Sequence, residues 1–288
     1  MRDAHRCRAV HTRSLAGAAL DRAPDVAVAR MGYVVVVALQ EEAEHLLKHL
    51  DARTELPLLG GVWPRTAGTI NGAEVEVVIS HVGIANAAAA TTAVLLLLEP
   101  VAVLNFGCAG AHAEALAAGD VIIGAAVIPM DAAKLLPDGT RVAWGYRKGG
   151  GPEQKRFALP ANPVLLAAAE KAGAAVASQL PKWPGEPGMP SVRSGTVGSS
   201  DTWSQQVAAI RALAAAHGTD CEEMEASSIA TVCDLKGVPF LCVKDISNNE
   251  MTANTNPEDG LEGIEAEIGA RAAHVLAATI AELADSKL

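Results

Sequence analysis

Six polar segments follow apolar runs in this 288-residue chain, and they hold the side chains best suited to chemistry. They are Gln40-Glu41-Glu42, Ser80-His81-Val82-Gly83, Asn105-Phe106-Gly107-Cys108-Ala109-Gly110, Gly198-Ser199-Ser200-Asp201-Thr202-Trp203, Cys221-Glu222-Glu223-Met224-Glu225 and Ser247-Asn248-Asn249. Acids at a helix start favour the positive end of the helix dipole, and for Glu41 and Glu44 that role suffices. Glu223 and Glu225 fit the same description as solvated acids of a first helical turn. Glu225 is set apart by Met224 before it and Ala226-Ser227-Ser228-Ile229-Ala230 after it. Residues this small admit a ligand or another backbone, so an acid among them points away from bulk water. Gly83, Gly107 and Gly110 suit tight turns. The Gly107-x-x-Gly110 pair lacks the Gly-Lys-Ser/Thr of a phosphate loop and the spacing of a dinucleotide fingerprint, which argues against ATP and NAD. Trp203 suits either the core or a stacking surface for a planar base.

The elements that must position these residues alternate in type. Strands are expected over 33–39, 74–80, 101–106, 120–127, 192–198 and 238–245, and helices over 41–50, 84–98, 163–177, 204–217, 223–235 and 263–284. This is the pattern of an α/β domain, a sheet covered by helices. In such sheets ligands gather at the carboxyl ends of the strands, where the polar segments lie. Residues 182–190, with three prolines and two glycines, read as a loop that is either a surface excursion near a site or a plain crossover insertion.

Composition narrows the function class. The formal charge of −10 argues against nucleic acid, which asks for a clustered basic face. The apolar runs are too short for a membrane span. The five cysteines are scattered, with no metal-ligand spacing, and read as reduced thiols of a cytoplasmic protein. Residues 1–30 carry six arginines without an apolar period and read as an extension outside the fold, with Met31 opening a single domain over 31–288.

Taken in order, five of these segments resemble the nucleoside phosphorylase and nucleosidase superfamily, and within it the 5′-methylthioadenosine/S-adenosylhomocysteine nucleosidases. Ala38-Leu39-Gln40-Glu41-Glu42 is similar to the family's first loop, and Ser80-His81-Val82-Gly83-Ile84-Ala85-Asn86-Ala87 to its S-G-I-G-x-x-x-A turn. The segment from Asn105 to Gly110 resembles N-T-G-S-A-G, that from Gly195 to Trp203 the S-G-D-x-F loop, and Glu223-Met224-Glu225-Ala226 the V/E-M-E-A helix start. The resemblance implies a three-layer α/β/α sandwich around a mixed, partly barrel-like sheet, a homodimer, and no metal or cofactor. It makes Glu42 the base that activates water, Glu225 the holder of the sugar hydroxyls, Met224 a sugar contact and Trp203 the stacking aromatic. Ser80 would sit beside the nucleophile, and Gly83, Gly107, Ala109 and Ser247 would belong to the pocket wall.

The implied chemistry is cleavage of the N-glycosidic bond of a purine nucleoside. That reaction builds oxocarbenium character on the sugar and negative charge on the base, so a carboxylate near the ribose and a donor near the base both help. Phosphorylases of the superfamily carry an arginine where this chain has Asn105. A carboxylate at Glu42 would repel phosphate, which favours water. One departure stands out. The family's R-A-I-S-D is here Lys244-Asp245-Ile246-Ser247-Asn248, so Asn248 replaces the acid that contacts the base. An amide cannot deliver a proton, yet it can donate a hydrogen bond, and its geometry also suits a 6-oxo group. Asp245, three residues earlier, faces the other side of a continuing strand. A 6-oxopurine nucleoside hydrolase of the futalosine or inosine type is therefore an alternative, with a phosphorylase or a non-catalytic storage relative further behind.

Overall fold

Val34, Val35, Val36 and Val37 are all fully buried, which a strand achieves only when both of its faces are covered. In the computed structural model, which describes residues 31–147, 155–252 and 263–285, they form the centre of β1 (Met31–Val37). The chain continues through α1 (Gln40–Leu47), β2 (Asp51–Leu58), β3 (Trp63–Ile70), β4 (Ala73–Ile79), α2 (Ile84–Leu97), β5 (Pro100–Ala111) and β6 (Val121–Pro129). Two small ribbons follow, β7 (Ala133–Leu135) with β8 (Arg141–Ala143) and β9 (Tyr146–Arg147) with β10 (Lys155–Arg156). The remaining elements are β11 (Leu159–Pro160), α3 (Pro163–Val176), β12 (Val192–Ser199), α4 (Val207–His217), β13 (Cys221–Glu223), α5 (Ala226–Lys236), β14 (Phe240–Asn248) and α6 (Ala270–Asp285). Residues 1–30, including Cys7, lie outside the described residues.

Among the described residues ten strands form one mixed sheet, nine of them in the order β11-β6-β12-β13-β5-β1-β4-β3-β2 and β14 off that path. β14 pairs in parallel with β5 and antiparallel with β6, which closes β5, β14, β6, β12 and β13 into a ring. The expected partly barrel-like sheet is thus present, between two helical layers. Tyr33, Val35 and Val37 pack into a core with residues of α1, α3 and α6. Val34 and Val36 pack into a second core with residues of α2 and α5. The period-2 alternation of a strand makes this division.

The same alternation sorts β14, in which every residue is buried. Leu241 and Val243 join the α6 side, and Asp245 follows them in phase. Its carboxylate accepts the backbone N–H groups of Gly269 (2.9 Å) and Arg271 (3.1 Å) at the start of α6, so it serves a neighbouring element, as its offset from Asn248 implies. Arg271 is fully buried and donates to the carbonyls of Pro181, Lys182 and Glu267, while its guanidinium lies 4.9 Å above the Trp183 ring. The loop over 182–190 is thereby tied to α6. Trp183, Ala118 and Ile268 form a small cluster against Leu39 and Cys108.

Three expectations change. The helix expected over 263–284 begins only at Ala270. The segment over 223–235 does not begin as a helix: Cys221–Glu223 pairs with β12 and β5 as a strand, and α5 starts at Ala226 with Glu225 as its N-cap residue. The hairpin of β2 and β3 was not expected, because residues 51–55 of β2 are all exposed and offer no apolar alternation.

Asp245→Ala should lower the unfolding free energy by about 3 kcal/mol, since it leaves two buried N–H groups without their acceptor. The denaturant midpoint measures this; an unchanged midpoint would show that α6 is held by packing alone.

Candidate active site

A cavity of about 140 Å³ opens beyond the carboxyl ends of β1, β5 and β14, where an open α/β sheet places its ligands. Ala38, Leu39 and Glu42 line it after β1, Cys108, Ala109 and Gly110 at the end of β5, and Ser247 and Asn248 at the end of β14. Thr202, Trp203 and the run from Glu222 to Glu225 complete the wall.

Glu42 comes from the first turn of α1 and is 3% exposed. Its two oxygens accept the N–H groups of Cys108 (2.8 Å) and Leu39 (3.3 Å), so amides from two elements fix the carboxylate. Gly107 makes the approach possible. Its φ is +152°, and an added Cβ would stand 2.6 Å from Glu42 Oε1. Burial pushes the pKa of Glu42 up, and the Lys244 ammonium with the two amide donors pulls against it. A carboxylate raised in this way is a better proton acceptor near neutral pH.

Lys244 extends from β14 into the same region, with a side chain 2% exposed, and its Nζ lies 2.8 Å from Glu223 Oε2. Burial alone would lower its pKa, but Glu223, Glu225 and Glu42 outweigh that and hold the ammonium charged. Glu223 also caps α5: its carboxylate accepts the N–H groups of Glu225 (3.1 Å) and Ala226 (2.9 and 3.0 Å) and the hydroxyl of Ser199. It is therefore a fully satisfied buried acid, not a solvated one. Glu225 Oε1 accepts the N–H of Gly83 at 2.8 Å. Burial, with Glu223 beside it, raises the pKa of Glu225 to about 8. These surroundings disfavour the charged form of Glu225 relative to a free glutamate.

Trp203, 41% exposed, stands at the mouth on a segment tied down from two sides. Asp131 accepts from the Ser200 hydroxyl (2.8 Å) and from Asp201 N–H (2.7 Å). Glu222 accepts from Ser204 N–H (2.8 Å), and its other oxygen lies 3.0 Å from Nε2 of buried His112, whose Nδ1 meets the Thr219 hydroxyl at 2.7 Å.

Of the residues singled out from sequence, Glu42, Ala109, Trp203, Met224, Glu225, Ser247 and Asn248 share this cavity. Gly83 and Gly107 stand behind it as backbone supports of Glu225 and Glu42. Ser80 does not line it: the side chain is fully buried and its hydroxyl faces the carbonyls of Val37 (3.3 Å) and His81 (3.0 Å). Asn105 is also buried, donating to the Val36 carbonyl at 2.9 Å. Sequence reasoning missed Lys244 and His112 as parts of the site, and gave Glu222 no role although its segment was singled out. A lysine directly after the apolar run from Phe240 to Val243 of a buried strand was the available signal for Lys244.

Residues 33–281 match the model of the phosphorylase superfamily. A 5′-methylthioadenosine/S-adenosylhomocysteine nucleosidase of Haemophilus influenzae (strain PittEE) is 34% identical over 215 residues, covering 74% of this chain and 84% of that protein. The fold is similar to that of the corresponding nucleosidase from Colwellia psychrerythraea 34H in complex with adenine, with a TM-score of 0.70 at 21% identity over 88% of this chain and 96% of the other. It is nearly as similar to futalosine hydrolase from Helicobacter pylori strain 26695, with a TM-score of 0.68 at 20% identity over 87% and 97%. Fold likeness therefore does not separate the two.

Removing Lys244 leaves buried carboxylates without their cation. Lys244→Met should cost about 3–5 kcal/mol in urea unfolding, and Glu223→Gln added to it should recover a large part of that loss. Equal stability of the single and double variants would show that the ion pair is not the interaction lost.

Proposed function

Because the chain belongs to the phosphorylase superfamily and groups with its 5′-methylthioadenosine/S-adenosylhomocysteine nucleosidases, we propose that it is an N-glycosidase that uses water to release the base of a purine nucleoside. The observation that carries the choice of water is the charge of the cavity. Among the described residues its lining holds four carboxylates, Glu42, Glu222, Glu223 and Glu225, and no lysine or arginine. Lys244 is close, but it is paired with Glu223. A phosphate dianion would meet net repulsion there, whereas a neutral water would not.

In the reaction, Glu42 takes a proton from water as the water oxygen bonds to C1′. The C1′–N9 bond breaks, and its electron pair leaves with the purine. Glu225 holds the sugar hydroxyls, and the surrounding carboxylates stabilise positive charge on the ring. Trp203 offers a face to the base. Asn248 donates a hydrogen bond to it, and the departing base takes its proton from solvent, since an amide has none to give. Methylthioadenosine and adenosylhomocysteine, after which the relatives are named, are the proposed substrates.

The reading extends to a homodimer in the cytoplasm whose released base enters purine salvage. Leu96 and Leu97 on α2 are 59% and 53% exposed, which supports a covered face on that helix. Among the described residues no helix is long and apolar enough to cross a membrane.

Phosphate-free protein incubated with methylthioadenosine, adenosylhomocysteine, inosine and futalosine should release free base from at least one of them. Release only after phosphate is added would overturn the role given to Glu42, and no release at all would favour a binding protein. Glu42→Gln should lower kcat by ~10²–10⁴-fold while base binding persists. Because the base form of Glu42 is required and its pKa is raised, kcat/KM should fall as pH drops through an apparent pKa above the ordinary glutamate value of ~4.3. An acid limb at or below that value would mean that another group accepts the proton.

A further inference from the structure

The amide of Asn248 lines the cavity, yet its donors and acceptors are already half committed. Nδ2 donates to Glu250 Oε1 at 2.9 Å, and Oδ1 accepts from the Ser247 hydroxyl at 2.7 Å. A carboxylate offers only acceptors, so the amide nitrogen must be the atom turned toward Glu250. Gly110 lies across from it: an added Cβ there would stand 3.5 Å from Oδ1 and 3.6 Å from Nδ2, so the amide packs broadside on glycine backbone. Asn248 is 2% exposed, which leaves it no solvent to turn into.

We propose that Glu250 locks the Asn248 amide in one orientation and so makes the site select a 6-aminopurine over a 6-oxopurine; the proposal rests on the nucleosidase reading given above. An amide has two N–H donors and two acceptor lone pairs. With one of each engaged by Glu250 and Ser247, one donor and one acceptor remain for the base. The outer edge of a 6-aminopurine presents an acceptor at N7 beside a donor at the C6 amino group, which an asparagine matches with two hydrogen bonds. A 6-oxopurine presents two acceptors, N7 and O6. Matching them would need both N–H groups; with one spent on Glu250, the remaining N–H meets one acceptor and Oδ1 is set against the other. Glu250, two residues beyond the position where the family's acid is replaced, thereby acts as a specificity-determining residue through Asn248.

Adenosine and inosine differ at C6 and share a sugar, so they isolate this contact. The wild-type chain should favour adenosine in kcat/KM on the order of 10- to 100-fold, the size expected of one good paired contact. In Glu250→Gln the new side chain can present either an oxygen or an amino group to Asn248, so the amide is free to turn, and the preference should shrink to within about 3-fold. Calorimetric binding of adenine and hypoxanthine to both proteins gives a second readout that needs no turnover. A wild-type preference for inosine, equal use of both nucleosides, or an unchanged ratio in Glu250→Gln would overturn the proposal. If neither nucleoside nor any 5′-modified analogue is cleaved, the hydrolase reading fails by itself. The binding arm then still decides whether the amide is locked: a preference for adenine that Glu250→Gln erases supports it, and equal binding of the two bases overturns it.

Discussion

One buried ammonium facing three buried carboxylates is the constraint around which this site is organised. Glu42, Glu223 and Glu225 are each less than a tenth exposed, and charges out of water are tolerated only when paired and hydrogen-bonded. Lys244 supplies the pairing, and backbone N–H groups from Leu39, Cys108, Gly83, Glu225 and Ala226 supply the bonds. The balance remains incomplete, because one cation cannot neutralise three acids. The deficit falls on Glu225, which is held up to about 8 by burial and by Glu223. Environment thus sets two chemically identical groups apart, Glu42 facing two amide donors and Lys244, Glu225 lying beside a second acid.

The sheet makes this concentration of charge possible. Successive residues of β14 face opposite sides, so Lys244 reaches the acids while Asp245 holds the start of α6. Closure of the five-strand ring brings β14 beside β5, and with it Asn248 opposite Gly110. Small residues do the rest. Gly107 lets backbone come close to Glu42, where a Cβ would stand 2.6 Å from Oε1.

Much of the fold was legible because its cause is local. The valines of β1, the long apolar helix α2 and the strand after Glu99-Pro100 show their burial in their composition. The β2–β3 hairpin was not legible, because its exposed strand carries no apolar rhythm. In the site, Glu42, Glu225 and Asn248 stood out as polar residues after strands, and the structure places them together. Glu223 looked like a solvated helix acid because its partner Lys244 is far away in sequence and meets it only when the ring closes. Ser80 sits in a polar turn, yet its hydroxyl turns back toward the carbonyls of Val37 and His81, a direction that residue order does not reveal. Glu250 carried no pattern of its own, and its importance arises from a side-chain contact with Asn248.

The closed ring also bears on how the chain avoids sticking to its own copies. β14 has neighbours on both sides, so the strand bearing the polar site offers no backbone to a foreign strand. The two ends of the sheet are β11 and β2. β11 is two residues long and ends in Pro160, which has no N–H to offer. β2 exposes Asp51, Arg53 and Glu55 and contains Pro57. Short length, charge and proline are the features that blunt a sheet edge against strand-to-strand pairing, so the margins of this sheet offer little to a foreign strand.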